Sequence, residues 1–143
     1  MAQYIASARS NYFVVRDEAD FRAWAEKRGL EVLEGGTIGD SPAFGITPGR
    51  NSDDGAWPTH DFSEDDENGD PVEINIAQEL STHLADGQVA ILMEVGAEKL
   101  RYLVGWAVAV NSNGDKVETS LDAIYDLAQK LGDGKSKITN VAY

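Results

Sequence analysis

QVAILMEVGAEKLRYLVGWAVAVN, residues 88–111, decides the fold. Two apolar runs rich in β-branched and aromatic residues flank the four-residue stretch GAEK (96–99), the pattern of a β-hairpin. In the second run, alternation puts Leu100, Tyr102, Val104, Trp106, Val108 and Val110 on one face. Arg101, Leu103, Gly105, Ala107 and Ala109 take the other, and a face of Gly and Ala lets helices approach closely, so helices are expected there. Downstream, NSNGDK (111–116) carries an Asn-Gly turn into a further strand, KVETS (116–120). Ser120 then reads as the cap of a last helix, with Leu121, Ile124, Tyr125, Ala128 and Leu131 inward and Gly132 at its stop. The tail GDGKSKITNVAY offers a further edge strand.

Upstream of the hairpin, Asp70 as N-cap, Pro71 at the first helical position and Glu73 two residues on predict a helix start. Ile76, Ala77, Leu80 and Leu84 supply its apolar stripe and Gly87 its end. Near the beginning, NYFVV (11–15) reads as a strand, Asp17 as an N-cap with Asp20 as capping partner, and Phe21, Trp24, Ala25 and Arg28 as one face of a helix stopped at Gly29. LEVLE (30–34) and AFGIT (43–47) read as short strands around a Gly-rich turn. Between Pro48 and Pro71 no period is sustained. The fold expected is α+β: a mainly antiparallel sheet with a central long hairpin and about three helices packed on it. Residues 1–143 form a single domain, with 48–71 a long acidic loop within it.

The 143 residues are 42% hydrophobic, enough for a packed core, and contain no cysteine, which excludes disulfides, thiolate metal sites and a Cys nucleophile. No basic start followed by an apolar run marks a signal peptide, and no apolar run reaches the length of a membrane span. A soluble, cytoplasmic protein is expected.

The formal charge is −13, and its distribution matters more than its size. Thirteen of the 25 acids fall between Arg50 and Lys99, where no Lys or Arg occurs. The twelve acids outside that segment balance the twelve bases. General acidity of the kind that adapts proteins to high salt would spread over the whole surface; concentration in one segment indicates either a local purpose or simply a solvated loop.

Chemical motifs are scarce. There is no phosphate-binding glycine loop, dinucleotide fingerprint or nucleophile elbow. His60 beside Asp61 and His83 near the end of the second helix are the only histidines, both read as exposed, with no nucleophile or oxyanion donor to accompany them. An enzyme is not expected, nor a catalytic residue, cofactor or metal. EDDENGDPVEIN (64–75) has the rhythm of a calcium loop with Gly69 sixth, but Asn75 occupies the position that requires a bidentate carboxylate and Pro71 the eighth. Only a weak calcium site would remain as an alternative.

SARSNYF (7–13) and EVGAEKLRYLVGWAVAVN (94–111) resemble a group of short acidic proteins carried by bacterial mobile elements and phages. The likeness covers both ends of the chain and leaves the acidic loop as the variable part. It implies a genomic neighbourhood in which proteins against host defences, of anti-restriction or anti-CRISPR type, are common.

A polyanionic surface meets a basic protein as nucleic acid would. Expected partner-binding residues are Asp53, Asp54, Asp61, Glu64, Asp65, Asp66, Glu67, Asp70, Glu73 and Glu79, with Trp57 and Phe62 as anchors that pack the loop down or meet the partner. Packing is preferred for both aromatics. Residues 53–73 hold nine acids, which a fully extended chain would space at roughly 8 Å. One DNA strand carries a charge every ~3.4 Å, so a match requires the loop to fold beside Glu73, Glu79, Asp86, Glu94 and Glu98. The expected function is that of a non-enzymatic DNA-mimic inhibitor on the basic nucleic-acid-binding surface of a partner such as a restriction or CRISPR effector. No direct contact with nucleic acid or membrane is expected, and the sequence leaves the oligomeric state open. The alternative is a regulatory or immunity-type binding module that does not imitate DNA.

Overall fold

In the computed structural model, which describes residues 4–49, 54–98 and 102–141, the elements run β1 (Tyr4–Ser10), α1 (Glu18–Lys27), β2 (Glu31–Ile38), β3 (Ser41–Thr47), β4 (His60–Asp65), β5 (Pro71–Glu73), α2 (Ile76–Ser81), β6 (Val89–Glu98), β7 (Tyr102–Asn111), β8 (Lys116–Ser120) and α3 (Ala123–Ala128). A 3₁₀ turn, Gln129–Leu131, follows α3. The architecture is mixed α/β, with antiparallel sheets and three α-helices among the described residues. One sheet has four strands in the order β1-β6-β7-β8; β2-β3 and β4-β5 are two-stranded.

β6 and β7 pair from Val89 opposite Asn111 to Glu98 opposite Tyr102. Gly96, Ala97 and Glu98 are therefore strand residues rather than a loop, and the connection falls at 99–101, outside the described residues together with Leu100 and Arg101. Paired residues share a face, so register sorts the sheet cleanly. The inner face carries Ala90, Leu92, Val108 and Val110, all buried, against Ile76, Ala77 and Leu80 of α2. Phe13, Phe21, Phe44, Ile46, Trp57 and Leu84 complete the core, with Phe21 between Phe13 and Phe44 at ring distances of 5.8 Å. The helix expected against the Gly and Ala side thus lies on the opposite side, where the larger Val and Trp side chains give it more apolar area to bury.

Several local expectations are corrected. β1 is Tyr4–Ser10, paired with β6, and not 11–15, where only Phe13 and Val15 make single bridges to Phe44 and Leu84. The edge of β6 offers a seven-position ladder to the small, alternating residues of β1, and that pairing outweighs intrinsic β-propensity. Asp17 caps α1 as expected, accepting from the Asp20 amide at 3.0 Å. Asp70, Pro71 and Glu73 do not start a helix. Pro71 suits an edge strand as well as a first helical turn, and it opens β5; α2 begins six residues after Asp70, capped by Asn75 Oδ1 on the Gln78 amide. Leu84 lies beyond α2, still in the core. Ser120 ends β8, α3 starts after Asp122, and Leu121, Ile124 and Leu131 are exposed, not inward. Described residues 132–141 contain no strand.

Candidate partner-binding surface

The segment expected to be a long acidic loop contains a hairpin. β4 and β5 pair antiparallel, His60 opposite Glu73 and Asp61 opposite Val72, with a register shift toward the tip where Asp65 meets Pro71. The tip is held by a single side chain: Asp66 Oδ1 accepts from the Asn68 amide at 2.8 Å and the Asp70 amide at 3.0 Å, while the Asp66 amide donates to the Asp70 carbonyl. Gly69 at φ 80° supplies the left-handed residue this turn needs. Glu64, Asp65, Asp66, Glu67 and Asp70 are all exposed there and make no ion pair with any described residue. Glu73, also exposed, continues the row on β5.

Two of the expected binding residues have another task. Arg28, at the end of α1, holds Glu79 of α2 through Nε–Oε1 at 2.8 Å and Nη2–Oε2 at 3.2 Å, and reaches Asp61 of β4 at 2.9 Å. The three side chains are 13%, 28% and 11% exposed, so Asp61 and Glu79 are structural and neutralised. Hydrogen bonds from the Ser63 hydroxyl and amide, then Arg28, hold Asp61 below the usual carboxylate range. Burial alone would raise Glu79, but hydrogen bonds from Arg28 and Trp24 outweigh it and lower the group. Asp54 is exposed and its Oδ1 accepts from the Ala56 amide; Asp53 lies outside the described residues. Of the two aromatics, Trp57 is buried, with its indole N–H on the Met93 carbonyl, whereas Phe62 is 81% exposed and does not pack the hairpin down.

Of the other acids considered, Asp86 pairs with Arg16 at 3.4 Å and Glu94 is buried. Glu94 accepts from the Trp57 amide (2.8 Å), the Tyr4 hydroxyl (2.9 Å) and the Trp106 indole (3.2 Å). No sequence motif announces this cluster. It forms the base of an open groove of about 1000 Å³ between the inner sheet face, the β5–α2 junction and α3. Trp57, Ile74, Trp106 and Val108 give it an apolar lining, and Glu73, Glu118, Asp122 and Asp126 surround it with Lys116.

The two histidines lie apart, in different surroundings. His60 is exposed beside Thr59 and Phe62. His83, expected to face outward, is half-buried over Trp24 at a ring distance of 5.2 Å, and burial lowers its pKa. Among the described residues no three His, Cys, Asp or Glu side chains converge on a point that could hold a metal ion. No described helix is long and apolar enough to cross a membrane. No protein-family model, curated protein or solved structure matches the chain.

Proposed function

We propose that this chain is a non-enzymatic acidic binding protein that occupies the basic nucleic-acid-binding surface of a partner, acting as a DNA-mimic inhibitor of a host defence complex such as a restriction or CRISPR effector. The supporting observation is the β4–β5 hairpin. Residues 64–73 hold six carboxylates on ten residues folded in half, roughly 16 Å of ribbon, or about one charge per ~3 Å. A single DNA strand carries one per ~3.4 Å. Folding thus supplies the density that an extended loop lacks. Asp61, Glu79 and Glu94 leave the proposed surface, and Glu64, Asp65, Asp66, Glu67, Asp70 and Glu73 carry it. In this reading β6 and β7 form one central long hairpin, the rigid frame against which the acidic ribbon is displayed.

The test is competition. Immobilised effector is incubated with this protein and increasing duplex DNA at low and high salt. Mutual exclusion, with affinity falling steeply as salt rises, is the expected result. A ternary complex of effector, DNA and this protein would defeat the DNA-mimic reading. It would instead favour a regulatory or immunity-type module that binds elsewhere, a second reading that draws on the groove. A Lys or Arg side chain could lay its apolar stem on Trp106 and Val108 and place its charge among Glu73, Glu118 and Asp126.

A further inference from the structure

The outer face of the four-stranded sheet does not read as a surface made for water. An antiparallel sheet solvated on one side alternates polar outward and apolar inward. Here the outward positions of β6 and β7 are apolar as well, except Asn111 at the end of β7. Ile5, Val89, Met93, Val95, Leu103 and Val117 are between 47% and 71% exposed, and the register puts all six on the same side. The pairing of these strands shows no register shift, so the assignment of faces is continuous across the sheet.

Charge makes the face more distinctive. The three carboxylates of the sheet strands, Glu94, Glu98 and Glu118, all fall on the inner side. The outward side of a protein with formal charge −13 therefore carries no acid among the described strand residues. Among the described residues its one charged side chain is Arg9 at the β1 edge, which stacks on Tyr12 at 5.3 Å and donates to the Ser10 carbonyl. A basic partner gains nothing from such a surface. Two like-charged copies, by contrast, can approach here without bringing carboxylates together.

We propose that this face is the contact between two copies of the chain, packed sheet on sheet about a two-fold axis. Four strands ~4.8 Å apart and up to ten residues long make a face of roughly 20 by 30 Å, on the order of 600 Å² per copy. That approaches the ~800 Å² per partner of a standard interface. Leu121, whose side chain lies over Gly105 on the outer side, extends the face at 54% exposure.

Light scattering and sedimentation of the intact protein from 1 to 100 µM test this. A mass twice 15.5 kDa is expected at the upper concentrations. The dimer should tighten several-fold between 50 and 500 mM NaCl, because salt screens the repulsion between copies and does not weaken apolar contact. Val95→Glu should weaken it at least 100-fold, and Val117→Lys, on an edge strand, should do the same with little risk to folding. Glu67→Gln at the acidic hairpin should leave it intact. A monomer at 100 µM overturns the proposal. So does a dimer dissociated by salt, or one indifferent to both substitutions in variants that retain native circular dichroism. A cross-link within one chain between Val95→Cys and Ile124→Cys would overturn it too, by showing that α3 folds back over its own sheet.

Discussion

Arg28 converts two members of an acidic segment into structural groups. Its guanidinium ties α1 to both α2 and β4, so Arg28→Ala leaves Asp61 and Glu79 facing each other, partly desolvated and unpaired. The melting temperature should fall by several degrees at neutral pH. Both carboxyls are lowered in the fold, so their contribution is present above the ordinary carboxyl values and is lost as pH falls through the lowered ones. The gap between wild type and variant should therefore narrow on acidification from pH 6 toward pH 3, which thermal melts across that range will read. A gap of constant size would show that the guanidinium acts only through packing. Glu94 gives a second case. Glu94→Ala strips acceptors from the Trp57 amide, the Tyr4 hydroxyl and the Trp106 indole, and should cost about 3 kcal/mol; an unfolding midpoint unchanged in urea would refute this. Burial, then the hydrogen bond to Glu94, raises Tyr4 to about 12. Stability linked to Tyr4 is complete below its ordinary value of 10.0 and fades as pH climbs through about 12, so Tyr4→Phe should flatten the alkaline limb of the stability profile.

The β4–β5 hairpin is the element whose reading from sequence differed most from its structure. Its carboxylates repel, its apolar residues are few, and it shows no alternation, so nothing local distinguishes it from a solvated loop. What orders it lies elsewhere: the Arg28 pair is 33 residues from Asp61, and the Ile74 amide donates to the Thr59 carbonyl. β1 was hidden for a similar reason, since a run of small residues becomes a strand only where β6 provides a partner. Strands with strong side chains behaved differently. The inner residues of β7, the β8 run and the Asp17 cap were all legible because alternation and capping are local signals. The hairpin can be probed through Gly69, at φ 80° with nothing within 4 Å of an added Cβ. Gly69→Ala thus meets backbone strain without a clash, at about 1 kcal/mol. Faster amide exchange confined to residues 60–73, with the core unchanged, is the expected outcome. Loss of protection in β6 and β7 would mean that the ribbon is integral to the main fold.

The molecule keeps its charges apart: acid on one ribbon and around one groove, and a sheet face with no acid among its described strand residues. The acidic run was visible in the sequence as a count. Which acids stay free was not, because neutralisation depends on a cation that only folding brings near. Replacing Glu64, Asp65, Asp66 and Glu67 by Gln, Asn, Asn and Gln takes the formal charge from −13 to −9, four carboxylates fewer. Asp66→Asn keeps a side-chain oxygen to accept the two amides of the turn, so the ribbon should stay folded. With mutual repulsion reduced, stability at low salt should be unchanged or slightly higher, and the rise of melting temperature with added NaCl should shrink. Affinity for a basic partner should drop at least ~10-fold at low salt, with a shallower dependence of log affinity on log salt. Glu18 and Glu34 make the contrasting control. Both hold Arg22, at 3.1 and 2.7 Å, so changing them to Gln should lower the melting temperature slightly and leave binding nearly intact. Opposite signs in the two sets would separate surface acids that face a partner from those that serve the fold. If the ribbon variant instead keeps full affinity and an unaltered salt slope, the six carboxylates of residues 64–73 are only a solvated edge, and the basic partner, if there is one, binds at another surface.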